Sequence, residues 1–418
     1  MRTLHEAAPP EDPVARARGP AARSQGGGAD MTGPSTTQSA VSRGQRARAG
    51  RAGSVRSAAG RALPLFVRGR GSAGARPAFS ADTLRALRDR DEGAPVLVRG
   101  LSGPVLVLLD RQELRQFYDC DPHEVLTPAT ATAPAAGAGT DGVPSCAVRA
   151  VIAEEGRHLT GAAILDLARA RHAVARAARR IVLGDGAPAR AEEQFTGLFR
   201  RLRRRGRERA AAADGHTLPG WTAPAHIVGE DQALRAMDGI PATLLRTLLL
   251  LAAHPAEQDA AAAEAAAEAA AGSAAPGELA RLRACVRESL RLYPVVPDLI
   301  RVTRTETEWR GVRHPAGTTV LLPAHFHQRD PEHVPAAHVF VPGRWKTPGA
   351  DEDIRMAPFG HGRSRCPGDR LGLLITTALC AEVLRHRRIT AARPVLDPPG
   401  PLPSALDPRG IRLTLDRR

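Results

Sequence analysis

One short string constrains this chain more than any other: Pro358-Phe-Gly-His-Gly-Arg-Ser-Arg-Cys-Pro-Gly368. Glycines at 360, 362 and 368 permit a tight turn and let a flat ligand approach the backbone closely. A helical pattern opens at Asp369, which puts Cys366 beside a helix N-terminus. Terminal N–H groups, with Arg363 and Arg365 alongside, are expected to lower its pKa and favour thiolate. A thiolate presented by a glycine-rich loop is what axial ligation of haem iron requires. A cysteine alone in a turn would read as structural; in this string it reads as a ligand.

Other strings fall into register with it. Glu288-Ser-Leu-Arg291 puts a carboxylate and a guanidinium three apart on one helix face, where they can pair. Downstream lie Gly311-Val-Arg-His-Pro-Ala-Gly-Thr-Thr-Val320, Arg329-Asp-Pro331 and Phe340-Val-Pro-Gly-Arg-Trp345. Upstream, an apolar helical pattern ends at His254-Pro255 and carries Ala236-Met-Asp-Gly239.

Taken together, these strings resemble a bacterial, actinobacterial-type cytochrome P450. The family's haem loop reads Phe-x-x-Gly-x-Arg-x-Cys-x-Gly, and Phe359, Gly362, Cys366 and Gly368 match it. The resemblance implies haem b with Cys366 as its iron ligand, and Phe359, Gly360, Gly362, Arg363, Arg365 and Gly368 around it. Ser364 stands where the family usually has Arg or His for a haem propionate, so Arg363 or Arg365 is expected to substitute. Arg301 is placed where many bacterial members contact a propionate from a strand. Glu288, Arg291 and Arg344 are expected to form the buried structural triad behind the haem, with every hydrogen bond satisfied.

The distal helix departs from the family pattern. Counting back from Pro255, Asp238 falls at the proton-relay acid, but Gly239 falls at the position of the relay threonine. Pro241 is expected to distort this helix, and a threonine restored at 239 to improve proton delivery. The family's Trp-x-x-x-Arg pair is missing, and the low-complexity residues 127–145 occupy its neighbourhood. The stretch between Arg205 and Ile227 is too short for two full substrate-lid helices.

Composition limits the rest. The net charge of +15 is concentrated at the start, where residues 1–76 hold thirteen arginines and four acids. That stretch is rich in Gly, Ala, Ser and Pro and carries a single aromatic of the Phe/Trp/Tyr class, Phe66. It reads as a disordered arm and not as a nucleic-acid binder. Met31 lies within it as a second candidate start. Five dispersed cysteines make no CxxC pair or zinc spacing, which suits a reducing cytoplasm. No apolar run reaches the roughly eighteen residues of a membrane span.

Residues 77–418 are therefore expected to form one domain. Ser80 and Asp110 are predicted to cap helices 81–88 and 111–118, flanking a β-hairpin over 95–109. Helical patterns cover 146–182, broken near Thr160-Gly161, then 192–211, 227–253, 257–275, 278–293 and 369–385. Short strands fill 299–323, and a strand pair ends the chain. The fold class is mainly α with small β-sheets (α+β), the cytochrome P450 fold shortened in the B–C and F–G regions. The expected activity is that of a haem-thiolate monooxygenase of bacterial secondary metabolism, acting on a small or carrier-bound organic substrate. Ferredoxin and its reductase would supply electrons at a face near Arg363, Arg365 and Arg370. The alternative is a peroxide-driven or non-redox haem enzyme, or a catalytically decayed haem-binding relative acting as a partner protein.

Overall fold

Ser80 turns extended chain into helix: its Oγ accepts the Thr83 N–H at 3.1 Å, and α1 runs Ala81–Arg90, two residues beyond the expected end. Asp110 does the same for α2 (Arg111–Asp119). Its carboxylate accepts the Gln112 N–H at 2.8 Å, while Glu113 reaches back to the Asp110 N–H at 3.0 Å, completing a capping box. The structure, a computed structural model, describes residues 77–100, 103–120, 126–128, 145–183, 237–271, 279–366, 368–398 and 400–418. All of them fall within the unit Arg56–Arg418. The expected arm 1–76, the helix 192–211 and most of the segment 127–145 lie outside these residues.

Between the two caps, β1 (Val96–Gly100) and β2 (Gly103–Val107) pair antiparallel as the expected hairpin. They are one edge of a five-stranded sheet completed by β3 (Leu126–Pro128), β5 (Leu299–Thr303) and β8 (Thr319–Leu322), in the order β1-β2-β8-β5-β3. A two-stranded ribbon, β6 (Thr307–Trp309) and β7 (Val312–His314), turns at Arg310 and Gly311, both with positive φ. Arg310 is an unusual residue for that conformation. Its guanidinium meets Glu113 at 2.5 Å and Asp110 at 3.2 Å, which ties the turn to the start of α2.

The C-terminal strands β9 (Arg387–Arg393) and β10 (Arg412–Arg417) form the expected pair, but a third strand joins them. Strand β4 (Ile164–Asp166) pairs with β10 and occupies the break foreseen near Thr160-Gly161. It follows α3 (Ser145–Glu155) and α4 (Arg157–Thr160) and leads into α5 (Leu167–Leu183). Gly156 separates α3 from α4, and a Cβ there would collide with the Glu382 side chain.

The main core gathers α3, α5, α6 (Ile240–Ala253), α7 (Pro255–Ala271), α8 (Ala280–Leu292) and α10 (Asp369–His386). Every residue of α6 from Ile240 to Leu251 is buried, as expected of a helix apolar all round. Leu244, Leu248, Leu282, Val286, Leu379 and Val383 meet at its centre. Of the long helix expected from Ile227, residues 227–236 lie outside the described residues; within the rest, 237–239 form a 3₁₀ turn and α6 runs from Ile240. Pro241 consequently sits in the first turn, where its missing N–H leaves no hydrogen bond unmade, and it does not kink the helix. Among the described residues no single helix is long and apolar enough to cross a membrane. The arrangement is mainly helical with small sheets, as the sequence implied.

Candidate functional site

The Cys366 loop is built by its glycines. Gly360 and Gly362 adopt φ of 76° and 53°, which a side chain disfavours. At Gly362 a Cβ would also press to 3.2 Å from the Tyr118 carbonyl oxygen, so the loop lies directly on the end of α2. A 3₁₀ turn covers Gly362–Ser364, and the Cys366 N–H donates to the Phe359 carbonyl at 2.8 Å, closing the loop. Gly368 caps α10 immediately afterwards, and the half-buried Phe359 packs against the main core.

The protonation expected for Cys366 is reversed. Burial pushes the thiol up, and Asp369 adds to this, outweighing the Gly368 N–H and Arg365. Arg365 gives little help because its Nε is turned to the Asp369 carboxylate, 2.6 Å away. Arg363 and Arg365 are both exposed. In and around the loop lie the buried Tyr118, the half-buried Arg301, and His361, whose Nδ1 is buried.

Arg301 on β5 is half-buried, with its guanidinium 5.7 Å from the centre of the Phe117 ring and donating to the Ile300 carbonyl at 3.2 Å. Among the described residues no carboxylate pairs with it. His361 Nδ1 is buried without a hydrogen-bond partner. A soft sulfur donor on a glycine loop, with a half-buried cation that has no carboxylate partner among the described residues, fits a haem carrying carboxylates. Cys366 would hold the iron and Arg301 a propionate.

Behind the loop, Glu288, Arg291 and Arg344 come together. Glu288 and Arg291 are fully buried and bidentate, at 2.9 Å and 2.8 Å, and Arg344 Nε reaches Glu288 at 3.1 Å. Arg291 also donates to the carbonyls of Gln328, Ala337 and Val339, and Arg344 to those of Pro335 and Ala336. Two further donors on Glu288 were not foreseen: Trp345 Nε1 at 2.9 Å and the Val341 N–H at 3.0 Å. Trp345 belongs to the string already singled out, but nothing in its spacing marked the indole as a partner.

Gly239 is buried, and Asp238 is half-buried in the 3₁₀ turn that precedes α6. The space beside Gly239 belongs to Val295, whose two methyl carbons would lie 2.8 Å from a Cβ at 239. One turn on, Thr243 Oγ1 donates to the Gly239 carbonyl at 2.9 Å, so that hydroxyl is engaged with the helix. Sequence reasoning missed Val295 because it is remote in the chain.

It also missed Arg246, the one charged residue of α6. Its guanidinium donates to the Leu406 carbonyl at 3.0 Å and 2.8 Å and to the Tyr293 carbonyl at 3.3 Å. Burial holds its pKa down to about 10. Arg329 binds the carbonyls of Leu402 and Pro403 at 2.7 Å and 2.8 Å, and Tyr293 donates its hydroxyl to Pro403 at 3.1 Å. The two guanidiniums lie 5.9 Å and 5.6 Å from the Tyr293 ring centre. They hold the segment 402–406, which forms part of an open pocket of about 540 Å³ lined chiefly by Pro394, Val395, Leu396, Pro403 and Leu406.

Compared with known proteins, residues 236–413 match the Cytochrome P450 family model. This region belongs to the cytochrome P450 superfamily. The P450 likeness extends to individual relatives. A cyclooctat-9-en-7-ol 5-monooxygenase of Streptomyces melanosporofaciens is 37% identical over 183 residues, 40% of this chain and 39% of that protein. The mitochondrial 25-hydroxyvitamin D-1 alpha hydroxylase of Mus musculus is 33% identical over 185 residues, 42% of this chain and 35% of that protein. A (+)-vincadifformine 19-hydroxylase of Catharanthus roseus is 36% identical over 110 residues, 25% of this chain and 22% of that protein. The P450 match thus spans about two fifths or less of the length of these relatives. It contains Asp238, Gly239, the triad, Arg301 and the Cys366 loop.

Proposed function

We propose that this chain is a haem-thiolate oxidoreductase, a monooxygenase that binds haem b through Cys366. The observation that carries the reading is the Cys366 loop, closed by the Phe359 carbonyl and set at the start of α10. Bound there, the haem would supply oxygen-activating chemistry, favoured by electron donation from the thiolate. The chain's own residues hold and orient it: Cys366 the iron, Arg301 a propionate, and the triad the backbone behind the loop. The similar monooxygenase and hydroxylases support an organic substrate, which we take to be small or carrier-bound. A role in bacterial secondary metabolism and a cytoplasmic location are parts of the same proposal. Electrons would come from ferredoxin and its reductase at the face bearing Arg363, Arg365 and Arg370, with a rate that falls as salt rises.

One observation favours a second reading. Gly239 brings no hydroxyl and Val295 fills the space beside it, leaving Asp238 as the nearest titratable group on that turn. This suits a peroxide-driven or non-redox haem enzyme, or a haem-binding partner protein. The deciding experiment is the spectrum of the reduced, CO-treated protein. A red-shifted Soret band that Cys366→Ala abolishes is expected; a band unchanged in that variant overturns the ligand assignment. Product formed per electron consumed, set beside a reaction driven by hydrogen peroxide alone, then separates the two readings.

A further inference from the structure

Ser364 leaves the Cys366 loop without a basic side chain at the position where a propionate would be met, and Arg363 and Arg365 are exposed. Three polar side chains gather beside the loop. Arg301 offers a half-buried guanidinium with no carboxylate partner among the described residues. Tyr118 is 2% exposed, its ring 5.7 Å from that of Phe117, and its phenol is close enough to Arg301 to feel the charge. His361 Nδ1 is buried without a partner, and its ring lies 6.2 Å from that of Tyr118. The Tyr118 carbonyl against Gly362 brings the end of α2 and the loop into contact, which holds the set together. Buried donors without acceptors are disfavoured, and donors grouped around one cation call for an anion that accepts from each.

We propose that Arg301, Tyr118 and His361 form a carboxylate-binding pocket that takes a haem propionate, in place of the basic side chain that residue 364 lacks. The inference rests on the haem reading above and adds His361 and Tyr118 to the residues that hold the group. Burial keeps the Tyr118 phenol protonated, so it is a donor to an anion at any ordinary pH. His361 completes the set through the tautomer that carries hydrogen on Nδ1.

The test titrates the full-length apoprotein with haemin and with haemin dimethyl ester, whose propionates are blocked, following the Soret band. His361→Gln and Tyr118→Phe are compared with wild type, and haemin loss to excess apomyoglobin gives a second readout. Each variant should bind haemin about tenfold more weakly, the scale of one lost hydrogen bond to a charged group. Each should bind the dimethyl ester as wild type does. Adding Ser364→Arg to His361→Gln should restore haemin affinity. Equal losses for haemin and ester would overturn the pocket while leaving the haem reading intact. Wild-type protein that shows no Cys366-dependent band with either compound would instead remove the haem reading. Tyr118→Phe keeps the ring packed against Phe117, so it reports on the hydroxyl even where His361→Gln disturbs folding.

Discussion

Val295 and Gly239 are locked in mutual contact: a Cβ at 239 would approach both Val295 methyl carbons to 2.8 Å. The glycine is therefore a packing requirement as well as a missing hydroxyl.

Gly239→Thr is accordingly expected to destabilise the fold by about 1–3 kcal/mol, the usual cost of overpacking a core. Urea denaturation measures it. Pairing Gly239→Ala with Val295→Ala should recover most of the stability lost in Gly239→Ala alone. Additive losses in the double variant would show that the two residues do not meet.

Glu288→Ala or Arg291→Ala should yield little soluble protein, because each leaves a buried charge without its partner at a cost of roughly 3–5 kcal/mol. Trp345→Phe removes a single donor from Glu288 and should cost roughly 1.5–3 kcal/mol while keeping the fold. Soluble yield and denaturation midpoints distinguish the two grades of effect.

His327 is buried, with Nε2 3.0 Å from the Leu108 carbonyl. Burial, opposed in part by that carbonyl and Asp330, holds its pKa down to about 4 from the ordinary 6.5. The unfolded chain binds a proton here between those values and the folded chain does not. Stability is thus complete above about pH 6.5 and declines as pH falls toward 4, by about 3 kcal/mol at most. Denaturation midpoints at pH 7 and pH 5 should differ, and His327→Gln should reduce the difference. Asp330 acts in a lower window. Burial raises its pKa, but His333, the Glu332 N–H and Arg88 outweigh it, so its contribution is lost only as pH drops below the ordinary carboxylate range.

Arg246→Met should loosen the segment 402–406, since the Leu406 and Tyr293 carbonyls lose their shared donor. Faster amide exchange confined to that segment, with α8 still protected, is the expected result. Unchanged exchange would show that Arg329 and Tyr293 hold the segment without it.

Much of this was legible wherever the signal is local. Ser80 and Asp110 announce their helices because a cap acts within three residues, and the hairpin at 96–107 is marked by the glycines on either side of its turn. The Cys366 loop is written in glycines whose conformation few other residues tolerate. Strand β4 was not legible: it is three residues long, and its partner β10 lies at the far end of the chain. Val295 beside Gly239, Trp345 on Glu288 and Arg246 on Leu406 are likewise meetings of distant residues. No periodicity records them. The low pKa expected for Cys366 failed for the same reason, because burial and the turn of Arg365 toward Asp369 are tertiary facts.

The network around Glu288 also governs how this sequence can vary. Arg291 and Arg344 grip the carbonyls of Pro335, Ala336, Ala337 and Val339, and no side chain of that stretch takes part. Main-chain oxygens are the same whatever residue bears them. The identities of Pro335, His338 and Val339 can therefore drift with little penalty as long as the backbone path is kept, while Ala337 is constrained by its burial and Ala336 by its φ of 51°. The length of the stretch 335–339 cannot drift, because one residue inserted or removed would shift every carbonyl past its guanidinium. In a saturation library of this stretch, substitutions at 335, 338 and 339 should be widely tolerated and single-residue insertions or deletions should be the lethal class.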